Sequence, residues 1–122
     1  MKKVASEKVA PAVGPYSQAY ITGNLLFTSG QLPVDGATGY MPETIEEQAE
    51  YSCRAVGYIL DAAGTSFYKV VKTTCYLADI ADFAKFNAVY EKFFTSKPAR
   101  SCFAVKALPK GALVEIEAIA EV

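Results

Sequence analysis

Residues 97–122 read "KPARSCFAVKALPKGALVEIEAIAEV". Arg100–Val105 and Leu113–Ala120 are runs of strand character, so both are read as β-strands. "ALPKGA" (107–112) joins them and carries the proline and glycine of a turn. Along the second run Val114, Ile116 and Ala118 share one face, and Glu115, Glu117 and Ile119 share the other. A wet outer face is the ordinary meaning of that pattern. Ile119 among the glutamates makes the face less than fully polar, so it is expected to pack on something. Arg100 opens the first run, behind the stiff Pro98, with Cys102 on its own face.

Upstream of Pro98, a helix is read from Asp79 or Asp82, either of which can cap it, to about Phe94. Phe83, Phe86, Val89/Tyr90 and Phe93 recur at its core-facing spacing. "YKVVKTTCYLA" (68–78) is β-branched and aromatic, hence a strand. A first helix starts at Thr44, three residues before Glu47 as in a capping box, and stops at Gly64. Strands near 18–22 and 25–30 flank Gly23-Asn24 as a hairpin, and residues 2–9 read as an edge strand guarded by Lys and Glu. The order is β-β-β-α-β-α-β-β. That predicts one α+β domain spanning residues 1–122, with two helices on one face of a mainly antiparallel sheet.

With 52% hydrophobic and 20% charged residues, the chain can bury a core. At 122 residues it buries a limited share of its surface, which favours an oligomer. The net charge of −1 lacks the basic excess of a nucleic-acid binder, so nucleic acid is not an expected partner. There is no histidine, which removes Ser-His-Asp and Cys-His catalysis and every His-ligated metal site. Three cysteines without a CxxC pair argue against a disulfide framework or zinc cluster, and for reduced thiols in the cytoplasm. No apolar run reaches the length of a signal peptide core or a membrane span.

The chemical candidates have plain and functional readings. Arg100 is either a solvated arginine or a planar fork for a carboxylate or phosphate. Glu115, in a half-apolar setting, can hold a water or act as general base. Cys102 is either an inert thiol or one whose pKa Arg100 lowers. Tyr16 in "VGPYSQ" is aimed by the preceding Gly-Pro. Ser29 and Gly30 lie in "TSGQ", a turn that offers N–H groups and a hydroxyl to an anion. Asn87 reads as a solvent-side helix residue.

Together these stretches resemble the RidA (YjgF-type) family. The resemblance runs nearly end to end through "APAVGPYSQA", "LLFTSGQLPVD", "VVKTTCYLADIADFAKFNAVYEKFF" and "PARSCFAVKALPKGALVEIEAIA". It implies a chorismate-mutase-like (YjgF-like) fold and a homotrimer with active sites between subunits. The implied reaction is hydrolysis of reactive enamines and imines, such as 2-aminoacrylate and 2-iminobutanoate, to 2-oxoacids and ammonia, with no metal or organic cofactor. Carried over, Arg100 binds the substrate carboxylate, Glu115 attends the attacking water, and Cys102 presents its backbone N–H. Tyr16, Ser29, Gly30, Asn87 and Ser101 complete the substrate site. The segment "FFTSKPARS" is shorter than in many family members. Two other activities stay open: a 2-oxoacid sensor without turnover, and a ribonuclease or translation inhibitor.

Overall fold

The computed structural model describes residues 1–122. Its strands and helices follow the expected order: β1 (Lys2–Val4), β2 (Ala19–Thr22), β3 (Leu25–Thr28), α1 (Ile45–Ala62), β4 (Val70–Leu77), α2 (Phe83–Phe93), β5 (Ala99–Ala104) and β6 (Val114–Glu121). They form one sheet in the order β1-β2-β3-β6-β4-β5. Every pairing is antiparallel except β4–β5, which α2 connects as a parallel crossover. The expected α+β class holds. The two strands joined by "ALPKGA" are not neighbours, however, because β4 lies between them.

Several boundaries differ, each for a local reason. β1 stops at Val4 because the Gln18 side chain takes over the backbone that follows. Ser6 N–H donates to Gln18 Oε1 at 2.8 Å, and Gln18 Nε2 donates to the carbonyls of Ser6 and Ala10. β3 stops at Thr28, and Gln31 then pairs with Ile116 beyond the Ser29-Gly30 turn. Residues 67–69 form a 3-10 turn before β4 begins.

Thr44 caps α1, accepting from the Glu47 N–H at 3.2 Å while its hydroxyl donates to Glu47 Oε1 at 3.1 Å. Asp79 caps a 3-10 turn at Ile80–Asp82, and Asp82 precedes α2 without a side-chain capping bond. The α2 core face is Phe86 and Tyr90, with Phe94 just past the helix. Phe83, expected in the core, is 37% exposed.

One core fills the space between helices and sheet. Leu26, Ile59, Leu60, Leu77, Phe86, Phe94 and Ile116 are fully buried there. Each such side chain contributes about 1.5–3 kcal/mol relative to exposure. The opposite face of the sheet has no helix over it. Phe27 (40% exposed) and Phe103 (46%) lie on that face beside half-buried Ile119, Glu115 and Glu117. No helix is long and apolar enough to cross a membrane.

Candidate active site in two halves

The parallel register sets Thr73 beside Arg100 and Cys75 beside Cys102. Thr73 and Cys75 are buried toward the helices, so Arg100 and Cys102 point the same way. At that edge Arg100 meets α2. Its Nη1 donates to Asn87 Oδ1 at 2.7 Å. Its guanidinium lies 4.8 Å from the Tyr90 ring centroid and 5.4 Å from that of Phe83. Phe83, Asn87 and Tyr90 form one helical stripe at spacings of four and three. Below them the hydroxyls of Tyr90 and Thr73 share a buried hydrogen bond of 2.7 Å, which fixes the ring. Burial pushes the Tyr90 phenol up to about 12.

No carboxylate lies within ion-pair distance of this cation, although Glu91 lines the same depression. The one ion pair in the chain is Glu50–Arg54, elsewhere, at 3.4 Å. Arg100 has five N–H donors in a planar fork, and Asn87 is its one hydrogen-bond partner. A depression of about 490 Å³ opens beside it, lined by Asn87, Tyr90, Glu91, Lys97, Pro98 and Arg100 among others. A separate depression of about 580 Å³, by Asp35, Tyr51 and Arg54, contains none of the candidate residues. Greater weight falls on the Arg100 edge, where a fixed positive charge has no counter-ion.

Glu115 belongs to the other half. It stands opposite Tyr76 on the helix-free face. Its carboxyl covers Gly30: a Cβ built there would lie 2.7 Å from Glu115 Cδ. Gly30 is thus a close-approach glycine, and the side chain it admits is the candidate base. Burial, then the negative Glu117, pushes the Glu115 carboxyl above its ordinary value. Glu117 itself accepts from the Tyr76 hydroxyl at 2.9 Å.

Ser29 Oγ donates to the Ser17 carbonyl at 2.6 Å, and Ser29 N–H to the Gln18 carbonyl at 2.8 Å. Those bonds pin the Ser-Gly turn to the "PYSQ" loop. Tyr16 stands on that loop, 55% exposed, its ring beside Gly14.

The candidates therefore fall into two groups. Arg100, Cys102 and Asn87 share the helix side of the β5 edge. Glu115, Gly30 and Ser29 gather where β3 leaves β6, with Tyr16 on the adjoining loop. The Ser101 side chain joins neither: it turns to the helix-free face, where Lys72 Nζ donates to it at 3.4 Å. Tyr90 and Phe83 were legible only as core residues, and Thr73 and Cys75 carried no signal. The residues alone put Asn87 on the solvent side and the two rings on the core side, and nothing local tied any of the three to Arg100.

Residues 7–122 match the family described as Endoribonuclease L-PSP. The chain belongs to this family. It is the family also called YjgF or RidA, in agreement with the resemblance above. A RutC family protein of Sinorhizobium fredii is 52% identical over 98% of this chain and 96% of its own. The 2-iminobutanoate/2-iminopropanoate deaminase of Escherichia coli is 46% identical, again over 98% and 96%. The crystal structure of E. coli TdcF with bound serine superposes with a TM-score of 0.96 at 40% identity, covering 100% of this chain and 98% of that one. In this RidA-family chain the two groups of candidates look away from each other across the sheet.

Proposed function

We propose that this RidA-family protein hydrolyses small enamine and imine acids, 2-aminoacrylate/2-iminopropanoate and 2-iminobutanoate, at sites built by two neighbouring copies. The observation that carries the reading is the state of Arg100: aimed by Asn87, flanked by two rings and without a counter-ion. A half-buried, pre-aimed guanidinium is suited to a carboxylate. The deaminase name of the E. coli relative supports the same class of chemistry.

Arg100 grips the substrate carboxylate with its free N–H groups. The Cys102 N–H and the Tyr16 hydroxyl border the bound acid. The enamine first tautomerises to the imine, whose carbon is already electrophilic. Glu115 of a neighbouring copy takes a proton from water as the oxygen attacks that carbon. Its raised pKa makes it a stronger base than an ordinary glutamate. Glu115 returns that proton to the nitrogen, and the carbinolamine collapses to the 2-oxoacid as its hydroxyl proton passes to the departing ammonia. Positioning and charge do this work from the side chains at hand.

A half-apolar, helix-free face supports closure against further copies, and the family resemblance favours a ring of three. Unpaired cysteines suit the cytoplasm. A ribonuclease activity gains nothing from a site whose one fixed cation is already suited to a single small carboxylate.

The test couples a threonine dehydratase to formation of 2-oxobutanoate. The protein should raise the rate above spontaneous imine hydrolysis, and Arg100→Ala should abolish the increase while leaving the oligomer intact. Parental activity in Arg100→Ala would refute the clamp. Binding of 2-oxobutanoate without any acceleration would instead make the protein a sensor.

A further inference from the structure

Cys75 has no part in the proposed deamination, yet its position is unusual. The β4–β5 register sets it directly beside Cys102, both side chains on the helix side. Neighbouring strands lie about 4.8 Å apart, within the roughly 4.4–6.8 Å between Cα atoms that a disulfide spans. Cys75 is fully buried and Cys102 is partly buried, packed against the core at the Arg100 edge. A small reagent therefore meets the Cys102 sulfur first and finds a second sulfur behind it.

We propose that Cys102 and Cys75 form a peroxide-reactive dithiol: a hydroperoxide oxidises Cys102, and Cys75 resolves it to an intrachain disulfide. The electrostatics divide the roles. The Cys75 thiol beside it, and then Arg100, hold the Cys102 thiol below its ordinary value against its partial burial. The neighbouring Cys102, and then burial, push the Cys75 thiol up, and its S–H is directed to Thr73 Oγ1 at 4.0 Å. The thiolate is thus on the more accessible of the two sulfurs, where a nucleophile must be.

In the first step the Cys102 thiolate attacks the peroxide O–O bond. It becomes a sulfenic acid, and the peroxide leaves as an alcohol or water after taking a proton. In the second step the Cys75 sulfur attacks the sulfenic sulfur. The S–S bond forms, and the Cys75 proton leaves with the hydroxyl as water. Two thiols are oxidised and one hydroperoxide is reduced. The product ties β5 to β4 beneath Arg100. The third cysteine, Cys53, is buried on α1, where burial pushes its thiol up, and it stays out of this chemistry.

The intact reduced protein is treated with hydrogen peroxide, alkylated and digested without reductant. The expected main product is a peptide pair linked through Cys75 and Cys102, reversed by dithiothreitol. Its rate of formation should rise with pH through a midpoint below the ordinary thiol value. Cys75→Val should stop the reaction at a Cys102 sulfenic acid that dimedone traps. Cys102→Ser, at the more accessible position, should leave Cys75 unoxidised, which keeps the test decisive if the buried variant fails to fold. A wild-type protein that accumulates Cys102 sulfinic acid with Cys75 free, links between chains, or resists peroxide would overturn the proposal. The readout is mass alone, so it is independent of whether the deaminase reading stands.

Discussion

Arg100 and Glu115 lie on opposite faces of one sheet, with β4 between their strands. A single chain therefore cannot bring both onto one small acid. If neighbouring copies complete each site, two inactive variants should rescue each other. Arg100→Ala and Glu115→Gln, unfolded together and refolded as a mixture, should recover about a quarter of the parental rate for random assembly of threes. Refolding each alone should recover none. A mixture as inactive as its components would show that both side chains act from one copy.

The Asn87 bond holds one Arg100 nitrogen in place. Asn87→Ala should leave the charge and loosen its aim. A hydrogen bond to a charged group contributes about 1.5–3 kcal/mol, so kcat/KM should fall roughly 10- to 100-fold. Thermal unfolding should change little, since Asn87 is only half-buried. Activity equal to the parent would remove Asn87 from the site.

Gly30 and the Glu115 carboxyl compete for one volume. Gly30→Ala should displace the far end of a flexible side chain and leave the backbone alone, because φ at Gly30 is not among the positive values. The expected result is a folded protein within about 1 kcal/mol of the parent that has lost most of its deaminase rate. Circular dichroism melts and the coupled assay separate the two effects.

Glu115 binds its proton more tightly in the folded chain than in the unfolded one. Its favourable contribution to stability is therefore present at low pH and is lost as pH rises through the raised value. At neutral pH the charge costs stability. Glu115→Gln should melt slightly higher there, by less than about 1 kcal/mol because the group is half in water. The same variant should lose about 100-fold or more in kcat. The acid limb of the parent's pH–rate profile should sit above the ordinary glutamate value. A limb at that ordinary value would separate Glu115 from the rate.

Local chemistry made most of the elements legible. The Thr44–Glu47 cap, the apolar stripe of α1 and the alternation of β6 are all short-range signals, and each became an element near its expected place. Long-range facts were not legible. Nothing in "KTTCYLA" or "PARSCFA" announces that these runs pair in parallel, and that pairing alone puts Thr73 beneath Arg100 and Cys75 beside Cys102. The same gap explains Phe83 and Tyr90. Helical periodicity placed both in the core, where Tyr90 is found, but it could not show that Arg100, ten or more residues on, lies over both rings and that Phe83 stays exposed. Gln18 ended β1 by a side-chain contact that no periodicity contains.

β5 is bonded along one side only, whereas β6 sits in the middle of the sheet. Local opening should begin at such a rim, so the amide protons around Arg100 should trade with deuterium well before those of Val114–Ala120. A bound 2-oxoacid would slow that trade in Ala99–Ala104 and leave the central strand's timing unchanged. The fraying margin of the sheet thus becomes a built-in reporter of occupancy, readable without any turnover.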